Sequence, residues 1–295
     1  MVSLYDLYLY TIRRNIILLK ECGIKISEKG YLLTIALSTI IPLLLKYFLN
    51  LTLKSFIILL VMYSLSAFLL PRIIYDIKIE RFERNLPKAL YVMVLALESG
   101  RSVVDAINEV IESNIKEVDI VFLKIVKLIT DKKLSFEDAV LLVSASMDSK
   151  IFRLLGRLLI ENRKYGGELA KTLTILAKTL EDLQNLRTQL LSVTANGLAV
   201  GLIILCGVVP ATAGIIGGYL NITATLLPDG TPVTPEEIAK CMEIIQIGTG
   251  IFGMLFTVPL FGLKFSRMVV GSTICMTFGM LSFYVTLNMT KFLFA

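Results

Sequence analysis

Three stretches of this chain, residues 193–220, 244–263 and 268–290, contain no acidic or basic side chain. At 1.5 Å of rise per residue, about 20 helical residues cross the roughly 30 Å hydrocarbon layer of a bilayer, so each stretch is long enough to span it. Backbone placed in lipid must satisfy its own hydrogen bonds, which makes each a helix. Composition agrees: 55% of residues are hydrophobic, mean hydropathy is +0.75 and 18% are charged, against about 25% charged in an average soluble domain. A fourth apolar region, residues 31–71, is interrupted by Lys46-Tyr-Phe-Leu-Asn-Leu-Thr-Leu-Lys54. It reads as a tight helical hairpin, 31–45 with a snorkelling Lys46, then 54–70. A single tilted span after Pro42 is the alternative, and it leaves 31–41 unexplained. Five spans are expected.

Five spans sort the basic residues. Lys46, Lys54, Lys240 and Lys291 fall on one side, and the rest of the 30 lysines and arginines fall on the other. The basic side is expected to be cytoplasmic. It holds residues 1–30, the block 72–192 and the turn 264–267, which leaves the C-terminus outside a multi-pass inner or plasma membrane protein. The opposite loop, 221–241, carries Asp229, Glu236, Glu237 and three prolines, as suits an exposed outer loop. Three N-x-[ST] sequons begin at Asn50, Asn221 and Asn288, and Asn221 is the candidate glycan acceptor. Residues 1–30 contain no apolar signal-peptide core. They alternate Leu4, Tyr8, Ile12, Ile16 and Leu19 with Arg13, Arg14 and Lys20, an amphipathic helix that lies on the inner face or packs on the cytoplasmic domain.

Much chemistry is excluded. The chain has no histidine, so imidazole general bases, Ser-His and Cys-His nucleophiles and His-ligated metals are all ruled out. The four cysteines (Cys22, Cys206, Cys241, Cys275) show no C-x-x-C spacing. Gly166-Gly-Glu-Leu-Ala-Lys-Thr172 has Tyr165 and Ala170 where a phosphate-binding loop needs glycine. No cofactor, metal or catalytic residue is therefore expected, and the chain is not expected to be an enzyme. Residues 72–192 carry 19 basic and 17 acidic residues, a mixture that argues against a nucleic-acid partner.

That block has persistent helical periodicity, as in Phe122, Ile125, Val126 and Ile129. It also repeats at 33 residues: Gly100-Arg-Ser-Val-Val-Asp-Ala-Ile107 aligns with Lys133-Leu-Ser-Phe-Glu-Asp-Ala-Val140, and then with Gly166-Gly-Glu-Leu-Ala-Lys-Thr-Leu173. Ser102 and Ser135 are expected N-caps, each followed three residues later by an aspartate. Gly100 and Gly166 suit left-handed helix ends. The repeat predicts three helical hairpins packed as a six-helix antiparallel bundle. Ankyrin-like arrays share the period, but their T-P-L-H signature is missing.

At these residues the chain resembles the F-domain membrane proteins of type II secretion systems. Related platform proteins serve type IV pili, tight-adherence pili and archaeal flagella. The resemblance rests on Leu86-Pro87 opening a helix, on Leu97-Glu-Ser-Gly100-Arg-Ser-Val-Val-Asp-Ala-Ile107, on the later turns at 133–140 and 166–173, and on the helical block running into 193–220. Lys133 stands where the family often has glycine. The layout implied is an all-α integral membrane protein with an N-terminal helix (1–30), a membrane hairpin (31–71), one cytoplasmic F-type domain (72–192) and three further spans (193–295). Many platform proteins carry two such domains, so a second copy or a paralogue is implied.

The resemblance also implies a non-enzymatic role beneath a growing pilus, coupling a cytoplasmic secretion ATPase to the movement of pilin-like subunits. Candidate ATPase contacts are the charges near the hairpin tips, Arg101, Asp105, Lys132, Lys133, Arg163, Lys164, Glu168 and Lys171. A plain solvated face is the other account of them. Gly197-Leu-Ala-Val-Gly201, with Gly214, Gly218 and Gly248, could let membrane helices approach closely within the chain or between subunits. Pro210 and Pro259 are expected to kink their spans. A small transporter or channel with a regulatory helical domain is the rival class, but no charge falls in mid-span, where carriers commonly place one.

Overall fold

The computed structural model describes residues 4–24, 27–161, 166–226, 234–262 and 264–293, and every element among them is a helix. In chain order these are α1 (Leu4–Glu21), α2 (Glu28–Ser38), α3 (Ile40–Leu49), α4 (Leu53–Glu98), α5 (Val103–Glu112), α6 (Val118–Thr130), α7 (Phe136–Ser146), α8 (Lys150–Glu161), α9 (Gly166–Ile203), a π-helical turn (Ile204–Val208), α10 (Val209–Leu226), α11 (Pro235–Phe261) and α12 (Phe265–Leu293). They form two compact units. One combines Met1–Ile73 with Leu191–Ala295, and the other is Ile74–Leu190.

The first unit is the membrane unit. Five helical runs in the chain are long and apolar enough to cross a bilayer, beginning at Glu28, Leu53, Leu169, Pro235 and Phe265. The hairpin is drawn with two spans rather than one. Its turn is Asn50, at φ 47° and ψ 47°, whose N–H donates to the Lys46 carbonyl. Asparagine tolerates this left-handed conformation better than most side chains. At the open end, the Tyr31 hydroxyl donates to the Phe68 carbonyl at 3.0 Å. The small break between α2 and α3 at Thr39 precedes Pro42, which has no N–H to offer the Ser38 carbonyl. On α1, Ile12, Ile16 and Leu19 are buried, and Asn15 Nδ2 donates to Tyr31 Oη (3.0 Å) and the Phe68 carbonyl (3.2 Å). This amphipathic helix thus packs within the membrane unit.

Two expected boundaries move. Helix α4 does not stop at Leu70, nor does a helix open at Leu86-Pro87; it runs from Leu53 through Pro71 and Pro87 to Glu98. A proline inside a helix removes a donor and crowds the carbonyl four residues back, and here side chains bond to main-chain carbonyls near both prolines. Beside Pro71, the Phe68 carbonyl receives Asn15 and Tyr31. Four residues before Pro87, the Glu83 carbonyl receives Gln184 Nε2 at 3.1 Å. Just ahead of Pro210 lies the π turn, with Val209 N–H donating to the Ile204 carbonyl. Next to it, Ser282 Oγ donates to the Gly207 carbonyl at 2.9 Å. The outer loop expected at 221–241 is also shorter, because α10 continues to Leu226 and α11 begins at Pro235. Thr234 starts α11 with a capping box to Glu237 and proline in the first turn. Residues 227–233 lie outside the described residues.

In the second unit, α4 from Ile74, α5 to α8 and α9 to Leu190 surround one apolar core. Phe152 stands at its centre, edge-on to Phe82 (5.2 Å) and Phe122 (6.2 Å). Serine caps begin α5 and α7. Ser102 forms a full capping box with Asp105, and Ser135 Oγ accepts from Asp138 N–H. Just before each cap lies a residue in the left-handed region, Gly100 (φ 82°) in the first turn and Lys133 (φ 52°) in the second. A side chain costs about 1 kcal/mol there. Lys133→Gly is therefore expected to stabilise the protein by about 0.5–1 kcal/mol, read as a small rise in the denaturation midpoint. An unchanged or lowered midpoint would mean that Lys133 makes a compensating contact.

Candidate functional site

The second unit alternates in direction along the chain, and its polar contacts set the register. Ser149 Oγ, at the start of α8, donates to Glu83 Oε1 at 2.7 Å and caps the Phe152 N–H. Asn85 Nδ2 donates to the Lys116 carbonyl at 3.1 Å, in the turn between α5 and α6. The turns near residues 116 and 149 therefore lie at the level of Glu83 and Gln184. The turns after α4 and α6 lie at the opposite end, and α9, running from Gly166 toward Gln184 at the Glu83 level, begins at that same end. All three copies of the 33-residue motif are thus presented together, at the end of the unit away from Ile74 and Leu190.

The candidate contacts are not equivalent. Arg101 forms an ion pair with Glu109, and Asp105 is engaged by the Ser102 N–H and hydroxyl, so both are occupied locally. Lys132, Lys133 and Lys171 are exposed, with no ion pair among the described residues. Arg163 and Lys164 lie outside the described residues, as does the side chain of Glu168. Gly166 is the first residue of α9 and does not terminate α8, which ends at Glu161.

In the membrane unit the glycines divide into packed and open. A Cβ on Gly214 would lie 2.6 Å from the Phe283 carbonyl and against Thr286 Oγ1, and one on Gly218 would lie 2.7 Å from Thr290 Cβ. These two glycines, one turn apart on α10, receive two threonines one turn apart on α12. A Cβ on Gly201 would meet the Phe256 ring at 2.6 Å. Between α11 and α12 the exchange runs both ways: Gly250 and Gly253 face Met276 and Cys275, while Gly271 and Gly279 face Thr257 and Thr249. Ser272 Oγ adds a bond to the Gly250 carbonyl at 2.8 Å. Gly197 and Gly248, also expected to pack, have nothing within 4 Å of a Cβ. Asn221 sits inside α10, and the Thr223 hydroxyl of its sequon bonds back to the Tyr219 and Leu220 carbonyls.

Periodicity did not reveal the polar contacts between spans. Thr52 Oγ1 donates to Glu243 Oε1 at 2.8 Å, and the fully buried Gln246 donates through Nε2 to the Ser55 carbonyl at 3.0 Å. The prolines offered the only signal for the clasp at Glu83. Among the described residues, no group of three or more Cys, Asp or Glu side chains is placed to hold a metal ion. What the arrangement offers is a rigid apolar core, a set of turns gathered at one end, and a tightly packed trio of spans.

These features define a multi-pass helical membrane protein whose second unit is a helical bundle with its own apolar core. The chain belongs to the type II secretion system protein F family. The family model, described as Type II secretion system (T2SS), protein F, matches residues 89–217, from the middle of α4 into α10. The chain is also 50% identical, over 99% of both lengths, to an uncharacterised protein of Methanocaldococcus jannaschii. No solved structure matches it. The family is one of membrane platform proteins of secretion and pilus systems.

Proposed function

We propose that this chain is a non-enzymatic platform protein of a type IV pilus-like or type II secretion-like assembly machine, coupling a cytoplasmic secretion ATPase to the insertion or extraction of pilin-like subunits. The observation that carries this is the gathering of the turns after α4 and α6 with the start of α9 at one end of a bundle that has a single tight core. A gripped end moves a packed bundle as a body, because close-packed interiors transmit displacement. Residues 74–190 then face the cytoplasm, a second copy or a paralogue completes the platform, and Lys132, Lys133 and Lys171 belong to the gripped surface. Contact through such charges is salt-sensitive.

Native cysteines allow a direct test of sidedness. Cys241 is exposed near the start of α11 and Cys22 follows α1. In intact cells a membrane-impermeant maleimide is expected to label a Cys241-only variant, and a Cys22-only variant only after permeabilisation. Labelling of Cys22 from outside would place residues 74–190 beyond the reach of an internal motor and end the proposal. With sidedness established, the full chain is expected to co-purify with a hexameric secretion ATPase and prepilin-like subunits, less so at high salt. Recovery of neither would also end it.

A further inference from the structure

We infer that the groove between α6 and α7 is a docking site for an acidic amphipathic helix of a partner protein. This rests on the platform reading and assigns part of the partner's grip to one place. The groove has a volume of about 310 Å³, an apolar floor of Leu128, Leu142 and Val143, and a rim of Lys124, Lys127 and Lys132. Asp131 is the one carboxylate in its lining, and none of the three lysines has an ion pair among the described residues. Stabilisation of a helix C-terminus by positive charge accounts for Lys127 and Lys132. It does not account for the apolar floor that they border, where Leu142 stands 55% exposed beside Leu128 and Val143.

An apolar floor with a cationic rim fits one kind of occupant. It is a helix that lays leucine-class side chains at i, i+3 and i+4 onto the floor and carries glutamates or aspartates along its flanks. From Lys124 to Lys132 the rim extends for about 12 Å, or roughly two turns of the incoming helix. Desolvating Leu142 supplies the non-directional part of the attraction, and the lysines select an acidic partner over a basic one.

The test uses the full chain in nanodiscs of phosphatidylcholine. The probe is a fluorescein-labelled amphipathic peptide of about five helical turns, with leucines on one face and glutamates on both flanks; its counterpart carries lysine at every glutamate. By anisotropy the acidic peptide is expected to bind at least about tenfold more tightly than the basic one, more weakly as salt rises. Leu142→Asp, and separately Lys124→Glu with Lys127→Glu, are each expected to weaken it at least about tenfold. Equal binding of the two peptides, or no loss in either variant, would overturn the inference. So would Leu142-dependent capture of phosphatidylserine vesicles without peptide binding, which would make a lipid surface the occupant. ATPase co-purification undiminished by Leu142→Asp would overturn the groove while leaving the platform function standing.

Discussion

Gly218→Leu is expected to destabilise the membrane unit by about 3 kcal/mol or more, because a side chain there has no direction in which to go. Its first carbon would already press on Thr290, and Thr290 is held against the Leu287 carbonyl by a 2.9 Å hydrogen bond. One turn away, Gly214 faces main chain, the Phe283 carbonyl at 2.6 Å and the Leu287 nitrogen at 3.2 Å. A flexible side chain could not simply swing aside from such a contact; α10 and α12 would have to separate. Overpacking of this kind costs about 1–3 kcal/mol when neighbours can yield, and more when the obstacle is backbone. In detergent-solubilised full chain this should lower the thermal midpoint by roughly 5–10 °C. Gly248→Leu is the matched control, since nothing lies within 4 Å of that position. Its midpoint should move by no more than about 2 °C, as leucine is the better helix former. Equal damage from the two would show that close approach of α10 to α12 is not what Gly218 provides.

The second large effect is expected at Gln184, which supplies the hydrogen bond that Pro87 cannot. Glu83 would normally give its carbonyl to the N–H of residue 87, and that N–H does not exist. Gln184 Nε2 occupies the place at 3.1 Å, reaching across from α9. Gln184→Leu should therefore cost about 1–2 kcal/mol, the penalty of leaving a half-buried carbonyl without a partner. The coupling is more diagnostic than the size. Pro87→Ala restores a main-chain donor, so Gln184→Leu in that background should cost close to nothing. Denaturation of the full chain followed through hydrogen exchange in residues 74–190 would read all four variants. An equal cost in both backgrounds would show that Gln184 acts through some other contact.

The repeat turns were legible because their signals are local. Serine three residues before aspartate is enough to specify a cap, and the structure places Ser102 and Ser135 at the starts of α5 and α7. Lys133 looked like a weak point in the pattern, yet its backbone takes a left-handed turn like that of Gly100. A turn forced by flanking helices can tolerate a residue that would not choose it. Pro71 and Pro87 misled in the opposite sense. Read locally, each is a helix boundary; in the folded chain Gln184 takes the carbonyl that Pro87 leaves free, Asn15 and Tyr31 tie down the Phe68 carbonyl close to Pro71, and α4 continues.

The glycines show the same division. Gly197, Gly201, Gly214, Gly218 and Gly248 look alike in the sequence, all small residues in apolar runs. Only Gly201, Gly214 and Gly218 of these meet a neighbouring helix at close range. Periodicity says which residues share a helix face, but not which face meets another helix when lipid is as apolar as leucine.

The order of apolar runs, charges and caps along the chain was enough to determine five bilayer-length helices, an intervening block of short helices and the absence of an imidazole site. Each of these depends on neighbours a few residues apart. The tertiary structure alone decided that Gln184 serves Pro87, that Thr286 and Thr290 fill the place left by Gly214 and Gly218, and that Leu142 lies open beside three lysines. Those are pairings between residues far apart in sequence, and no local pattern encodes them, because a donor or a methyl group fits a distant partner only once both helices have been positioned by everything else they bury.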